Sequence, residues 1–479
     1  MASHHASESD SAATAPSATT ERADALREAV QAGLPAAIAE LSNLVRIPSV
    51  SWDGFDPEHV RASAEKVAEL ARATGVFDDV EIIQVPIAET GRLGLPAVLA
   101  RRPARNGRPT VLLYAHHDVQ PEGDEEHWDS KPFEPTLRGD RLYGRGTADD
   151  KAGVVTHLAA IRALTSVLDT EPEVGIVLFV EGEEEFGSRA LPVILERYHE
   201  QLAADTIIVA DSGNWDLETP ALTVGLRGAV AFNLRISTLS HAVHSGQYGG
   251  AVPDAMFAAI ELLSTLWKKD GSVAVKGLTS HQAATPEYGE RRLRDETGLL
   301  DGVTPIGSGD LLSRSWYQPS ITVTGIDAPT VKNASNTLVP SVRVRISARV
   351  APGQDARQYF ERLEEHLLEH APFGAQLSFE DLDLGQPFLV DSSGWAAADA
   401  LETMHEAWGV EAVQMGSGGS IPFIADLVQR YPEAQILITG VEDPDARAHS
   451  PNESLHLPTL HRAILSETLL LARMNSRSL

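Results

Sequence analysis

Residues 111–121 read VLLYAHHDVQP. The run from Val111 to Ala115 is apolar or aromatic throughout, and the chain then turns at once to His116, His117 and Asp118. A near-continuous apolar run of this length fits a strand buried on both faces of a sheet. Three more runs have the same form: Ile176–Val180, Thr206–Ala210 and Gln435–Thr439. Each is followed closely by acidic or histidine-bearing sequence, EGEEE, DSG and GVEDPDARAH respectively. In open α/β sheets, ligands bind beyond the carboxyl ends of the strands. The runs therefore predict one site, built where several strands end in carboxylates and imidazoles.

Composition narrows the chemistry. At 479 residues the chain is too long for one ordinary core, and two domains are expected. With 43% hydrophobic and 22% charged residues it has the balance of a soluble globular protein. There is no cysteine, which excludes disulfides, thiolate metal sites and a cysteine nucleophile. A metal site must then use His, Asp and Glu, a donor set that suits zinc, manganese or cobalt. The formal net charge of −29 argues against nucleic acid or an anionic membrane as a partner. Residues 1–20 hold no Lys or Arg and no apolar stretch, so they lack the features of a secretory signal and are expected to form a disordered tail. No run approaches the roughly 20 apolar residues of a membrane helix, and the expected location is the cytoplasm.

The middle of the chain follows another pattern. In VRVRISARV, residues 342–350, Val342, Val344, Ile346, Ala348 and Val350 share one face. That alternation marks an antiparallel strand with one buried and one polar face. AVAFNLRIS, residues 229–237, partly alternates, and Ala255 to Trp267 has the pattern of an amphipathic helix. Residues 280–320 are charged and rich in Gly and Pro, and are expected to form an irregular loop. Strand-like runs that alternate with helix-like ones elsewhere predict an α/β fold. The expected organisation is a larger domain, 21–218 and 386–479, with a smaller α+β domain, 219–385, inserted into it.

Four further stretches carry reactive side chains: LYGRGTADDKA (142–152), EGEEEFGS (181–188), VADSGNW (209–215) and RAHSPNE (447–453). Singly, each has an ordinary reading. A histidine after a strand is most often a buried, hydrogen-bonded one. An acidic run is most often a solvated loop. Asp149–Asp150 stands where the N-cap of a helix starting near Lys151 would lie. In this order, however, the motifs resemble those of the di-zinc metallopeptidase and aminoacylase family, over about residues 25–470. That family includes carnosinase-type dipeptidases, carboxypeptidase G, succinyl-diaminopimelate desuccinylase and acetylornithine deacetylase. HSGQYGG, residues 244–250, strongly resembles the carnosinase-type branch.

The resemblance implies a catalytic domain with a mainly parallel central sheet flanked by helices, and an inserted dimerisation (lid) domain. It implies two Zn2+ per subunit, with Mn2+ or Co2+ as substitutes. His116 and Asp211 would hold one metal, Glu185 and His449 the other, and Asp149 would bridge both. Asp118 would accept the second N–H of His116. His117 falls on a variable position and is expected to be structural. A cis peptide is implied between Asp149 and Asp150. Glu184 would be the general base that activates a metal-bridging water for attack on the amide of a dipeptide or short peptide. His244 would steady the oxyanion in the partner's site of a homodimer. Asn336, Arg349 and Ser420 would contact substrate, Arg349 through its carboxylate. The glycine-rich loop GSGGSIP, residues 416–422, lacks a carboxylate that many dipeptidase relatives carry there. That leaves open a deacylase or carboxypeptidase acting on N-acyl or N-carbamoyl amino acids. An inactive scaffold relative would usually lose a ligand or the base, and here all are present.

Overall fold

The computed structural model describes residues 18–283, 285–418 and 422–478. Most of the expected tail, residues 1–17, lies outside them, and the first helix already begins at Ala18 and runs to Val45.

All four apolar runs are strands: Thr110–His116, Gly175–Glu181, Thr206–Val209 and Gln435–Ile438. They lie side by side and parallel at the centre of a nine-stranded sheet, in the spatial order 175–181, 110–116, 206–209, 435–438. Thr206–Val209 and Gly175–Glu181 are buried at every position. That pattern requires helices over both faces, and it explains why these strands read as continuous apolar runs rather than alternating ones. Because the four run the same way, His116, Glu181, Val209 and Ile438 all finish at one edge of the sheet.

Helix ends are fixed by the residues that follow the strands. Asp150 caps the helix Lys151–Val167, its carboxylate accepting the Gly153 N–H at 3.2 Å. Lys151 is fully buried, and its Nζ donates to Leu44 O at 2.9 Å and Ile47 O at 2.7 Å. It thereby adds a charged donor to two carbonyls at and just beyond the end of the helix Ala18–Val45, which also accept the Ile47 and Ser49 N–H groups.

A second, four-stranded antiparallel sheet contains Gly228–Ser237, Ser320–Asp327, Ser341–Val350 and Gln376–Gly385. The expected face of Val342, Val344, Ile346, Ala348 and Val350 is buried in its own hydrophobic core, against the helices Ala255–Ser264 and Ala356–Glu369. The passage between the sheets falls later than the expected boundary at 219, because Ala221–Leu226 pairs within the larger sheet. It occurs at Arg227–Gly228, beside the returning chain. A Cβ on Gly228 would lie 2.5 Å from Gly385 O, so only glycine admits the two passages so close together.

The segment 280–320 corrects an expectation. It contains the helices Glu290–Thr297 and Leu311–Trp316. The first buries no residue, and so carries no apolar period to read. Pairs four residues apart support it instead, Arg292–Glu296 and Arg294–Glu290, each at 2.6 Å, and Gly298 ends it in the left-handed region.

His157 ties three elements of the core together. It is fully buried, with Nδ1 2.8 Å from Glu467 Oε1 and Nε2 2.9 Å from Tyr114 O. Burial lowers its pKa, but the Glu467 carboxylate outweighs burial and the net shift is upward. A raised folded-state pKa stabilises below the unfolded value, near 6.5, and that contribution is lost as pH rises through the folded value. Replacing His157→Gln should therefore destabilise by about 3 kcal/mol near pH 6, and by less at pH 9. Denaturant melts of both proteins at the two pH values measure this, and an unchanged gap would contradict it.

Candidate active site

The edge where the parallel strands finish gathers the residues singled out in the sequence. Asp149 lies between two histidines: Oδ1 is 3.1 Å from His116 Nε2, and Oδ2 is 2.8 Å from His449 Nε2. Glu185 Oε2 is 3.2 Å from His449 Nε2. Asp211 Oδ1 is 3.9 Å and Glu184 Oε2 is 4.0 Å from His116 Nε2. The Asp149–Asp150 peptide is cis, as the sequence motif implied. His116 and Asp149 are buried, whereas the His449 side chain is 56% exposed, at the mouth of the site.

Asp118 organises this cluster from beneath. Its carboxylate accepts the backbone N–H groups of Glu184 at 3.2 Å and Glu185 at 3.0 Å. Its Oδ1 is 3.4 Å from His116 Nδ1, and its backbone oxygen is nearer that nitrogen, at 3.1 Å. The expected imidazole contact is thus shared between the carboxylate and the main chain. Gln120 holds Glu185, its Nε2 donating to Oε2 at 2.7 Å. His117 is buried with Nε2 3.0 Å from Pro96 O, and burial lowers its pKa to about 4. It is a structural histidine.

Among the described residues, two groups of side chains could hold a cation, each with ligand atoms within 4.8 Å of one another: His116, Asp149 and Glu185, and His116, Glu184 and Asp211. The second brings in Glu184, expected as a base rather than a ligand. Burial, followed by repulsion from neighbouring carboxylates, raises the pKa of Glu184, Glu185 and Asp211. The His449 pKa is pushed up to about 11 by its hydrogen bonds to Asp149 and Glu185. This is a high density of buried acid with little cationic compensation. A divalent cation supplies that compensation, and imidazole with carboxylate oxygen is the donor chemistry it requires. The residues fit a metal centre.

The cluster opens into a cleft of about 700 Å³, lined by Asp149, Glu184, Asp211 and His449 and also by Trp215, Leu293, Trp316 and Met415. The overlooked helices of 280–320 thus form part of its wall. The sequence pattern of Peptidase family M20/M25/M40 matches residues 112–473, which takes in every member of the cluster. The chain belongs to this peptidase family.

Similar proteins agree. This peptidase is 32% identical to the cysteinylglycine-S-conjugate dipeptidase of Corynebacterium striatum, over 75% of this chain and 80% of the relative. It is 26% identical to the Cys-Gly metallodipeptidase dug1 of Schizosaccharomyces pombe, over 92% of this chain and 96% of that one. Its fold is that of the dipeptidase Dug1p from Saccharomyces cerevisiae, with a TM-score of 0.79 at 22% identity, covering 95% and 99% of the two chains. Human carnosine dipeptidase 1 superposes with a TM-score of 0.76 at 20% identity, over 95% and 99%.

Other predicted site residues lie elsewhere on the peptidase. His244 and Asn336 are exposed neighbours on the smaller domain: His244 pairs with Thr337 across two short strands, and Ser245 N donates to Asn336 O at 2.9 Å. Neither lines the cleft of its own chain. Arg349, in the strand Ser341–Val350, is a close electrostatic neighbour of Arg227, whose pKa is lowered to about 10 by burial and by Arg349. A Cβ on Gly418 would lie 3.0 Å from Arg227 Nη2, so Arg227 borders the glycine-rich loop. Ser420 lies outside the described residues.

The sequence reading assigned no role to Glu453. This fully buried carboxylate accepts Arg145 Nη1 at 2.7 Å, Gly146 N at 3.0 Å, Ala148 N at 3.0 Å and Asp149 N at 3.2 Å. It shapes the loop that presents Asp149 and fastens it to the loop that presents His449. Its place in RAHSPNE, beside a candidate histidine ligand, was the available signal. Glu453→Gln turns an NH2 group toward one pair of these donors and leaves Arg145 uncompensated. It should cost about 3–5 kcal/mol of stability and weaken metal retention. Thermal denaturation together with metal analysis of the purified variant checks both effects.

Proposed function

We propose that this peptidase hydrolyses the amide bond of dipeptides or short peptides at a centre of two divalent cations, zinc being the family default. The observation that carries the reading is the convergence of His116, Asp149, Glu185, Asp211 and His449 around Glu184 at the head of one cleft. Asp149 faces both histidines and is the shared ligand. His116 and Asp211 complete one cation's set, and Glu185 and His449 the other's. When bound, such a pair of cations acidifies a water and polarises the scissile carbonyl.

The chain's own groups do the rest. Glu184 takes the proton of the attacking water and delivers it to the departing amine. Burial and the nearby Asp211 and Glu185 raise its pKa, which favours a carboxyl able both to accept and to return a proton. Asp118 holds the Glu184–Glu185 turn and His116 in one arrangement, so base and ligand keep their spacing. In this reading Arg349, an electrostatic neighbour of Arg227, takes the C-terminal carboxylate of the substrate. Ser420 is assigned to the same end of the substrate.

The working unit in this reading is a homodimer. His244 and Asn336 stand together on an exposed surface of the smaller domain and reach the partner's cleft, where His244 steadies the oxyanion and Asn336 contacts the substrate. Exposed Phe257, Ile260 and Phe373, which lie on the same domain, give that domain an apolar surface for a second copy.

Amine release from small dipeptides and from their N-acetylated counterparts, before and after chelation, tests the function. Cleavage of the free dipeptides should vanish with a chelator and return with added zinc or manganese. Preference for the blocked set would move the protein to the N-acyl hydrolases. Glu184→Gln should lower kcat by about 10²–10⁴-fold with both metals retained. His244→Ala should cost about 10²–10³ in kcat. Mixing the two inactive variants should restore part of the activity, because one hybrid site then has both groups. Absence of complementation in a confirmed mixed dimer would refute the action of His244 across the interface.

A further inference from the structure

The carboxylates that line the cleft differ in how they are neutralised. Asp149 has His116 and His449. Asp443 has Arg141, and Glu296 has Arg292 and the Tyr288 hydroxyl. Glu184 and Asp211 are used by the mechanism. Glu442 remains. It lies on the loop after the strand Gln435–Ile438, lines the same cleft, and has no Lys or Arg ion pair among the described residues. Asp149, Asp211, Glu453 and His449 are close enough to interact with it electrostatically, so it belongs to the neighbourhood where the amide is cut.

Its backbone is firmly held. Glu442 N donates to Ser212 O at 3.4 Å, and its carbonyl accepts Asn214 N at 2.8 Å, forming a bridge with the segment that follows Asp211. A Cβ on Gly213 would lie 3.3 Å from Glu442 Cβ, so the glycine lets the two segments approach. A half-buried carboxylate with a fixed backbone and no Lys or Arg ion pair among the described residues, beside a His449 already engaged by Asp149 and Glu185, is left to a ligand for a cation of its own. Resting on the dipeptidase reading above, we propose that Glu442 is the specificity residue that receives the free amino group of the substrate. The ligand chemistry is a primary ammonium one residue's reach from the scissile amide, as in a dipeptide with an unblocked α- or β-amine. An N-acyl or des-amino analogue leaves the carboxylate without that partner and is discriminated against.

The test uses metal-loaded full-length enzyme and three matched substrates: Ala-Ala, N-acetyl-Ala-Ala and propionyl-Ala, the last being Ala-Ala without its amine. Wild type reads the dipeptidase function, and Glu442→Gln reads the proposal. The variant should lose about ten- to a hundredfold in kcat/KM for Ala-Ala, chiefly through KM, and leave propionyl-Ala nearly unchanged. Glu442→Asp should recover part of the preference, and metal content should equal that of wild type. Equal losses on Ala-Ala and propionyl-Ala would make Glu442 a structural support of the metal centre and overturn the proposal. So would retention of the full free-amine preference in Glu442→Gln. Wild type preferring the acetylated substrate would instead overturn the dipeptidase reading itself.

Discussion

The buried carboxylate of Glu453 is the constraint on which the site depends. Its two oxygens take one guanidinium and three main-chain N–H groups from the loop 145–149. A loop of this kind has no ladder of its own, and its N–H groups would be left unsatisfied in the interior. Glu453 satisfies them with a single side chain that comes from more than three hundred residues away. The same bond sets where Asp149 stands and how far from it His449 can lie. In the proposed two-cation centre Asp149 is the shared ligand, and that role would need the distance fixed.

The parallel sheet explains why so much acid can be concentrated beside a dry core. Its central strands are buried on both faces, and their apolar residues supply the stabilisation. All the polar demand is deferred to the carboxyl edge, where the chain leaves the sheet. There, each carboxylate is held by something specific: Asp118 by the N–H groups of the Glu184–Glu185 turn, Glu185 by Gln120, Asp150 by the helix it caps. What those bonds do not supply is positive charge. The fold leaves that to whatever binds.

Local patterns in the sequence reveal the central strands, the alternating strand 342–350 and the cap at Asp150, because burial on two faces, burial on one face and capping each leave a periodic or positional trace. The convergence of His116, Asp149, Glu185, Asp211 and His449 is legible once parallel strands are assumed, since parallel strands must end together. Glu453 is not legible in the same way. Three of its partners are main-chain N–H groups on a remote loop, and main-chain donors have no sequence. The helices at 290–297 and 311–316 escape for another reason: one buries nothing and the other is under two turns long, so neither shows an apolar stripe. His244 and Asn336 are brought to each other but not to their own chain's cleft, which no pattern in the sequence reveals.

The order of the ligands along the chain has a consequence for synthesis. His116 emerges from the ribosome early, but His449 and Glu453 follow only after the whole inserted domain has been made. Until then the Asp149 loop lacks its Glu453 anchor, and the proposed metal centre lacks one of its two histidines. On the proposed mechanism a nascent chain is inert toward the peptides around it until the last segment folds back against the first.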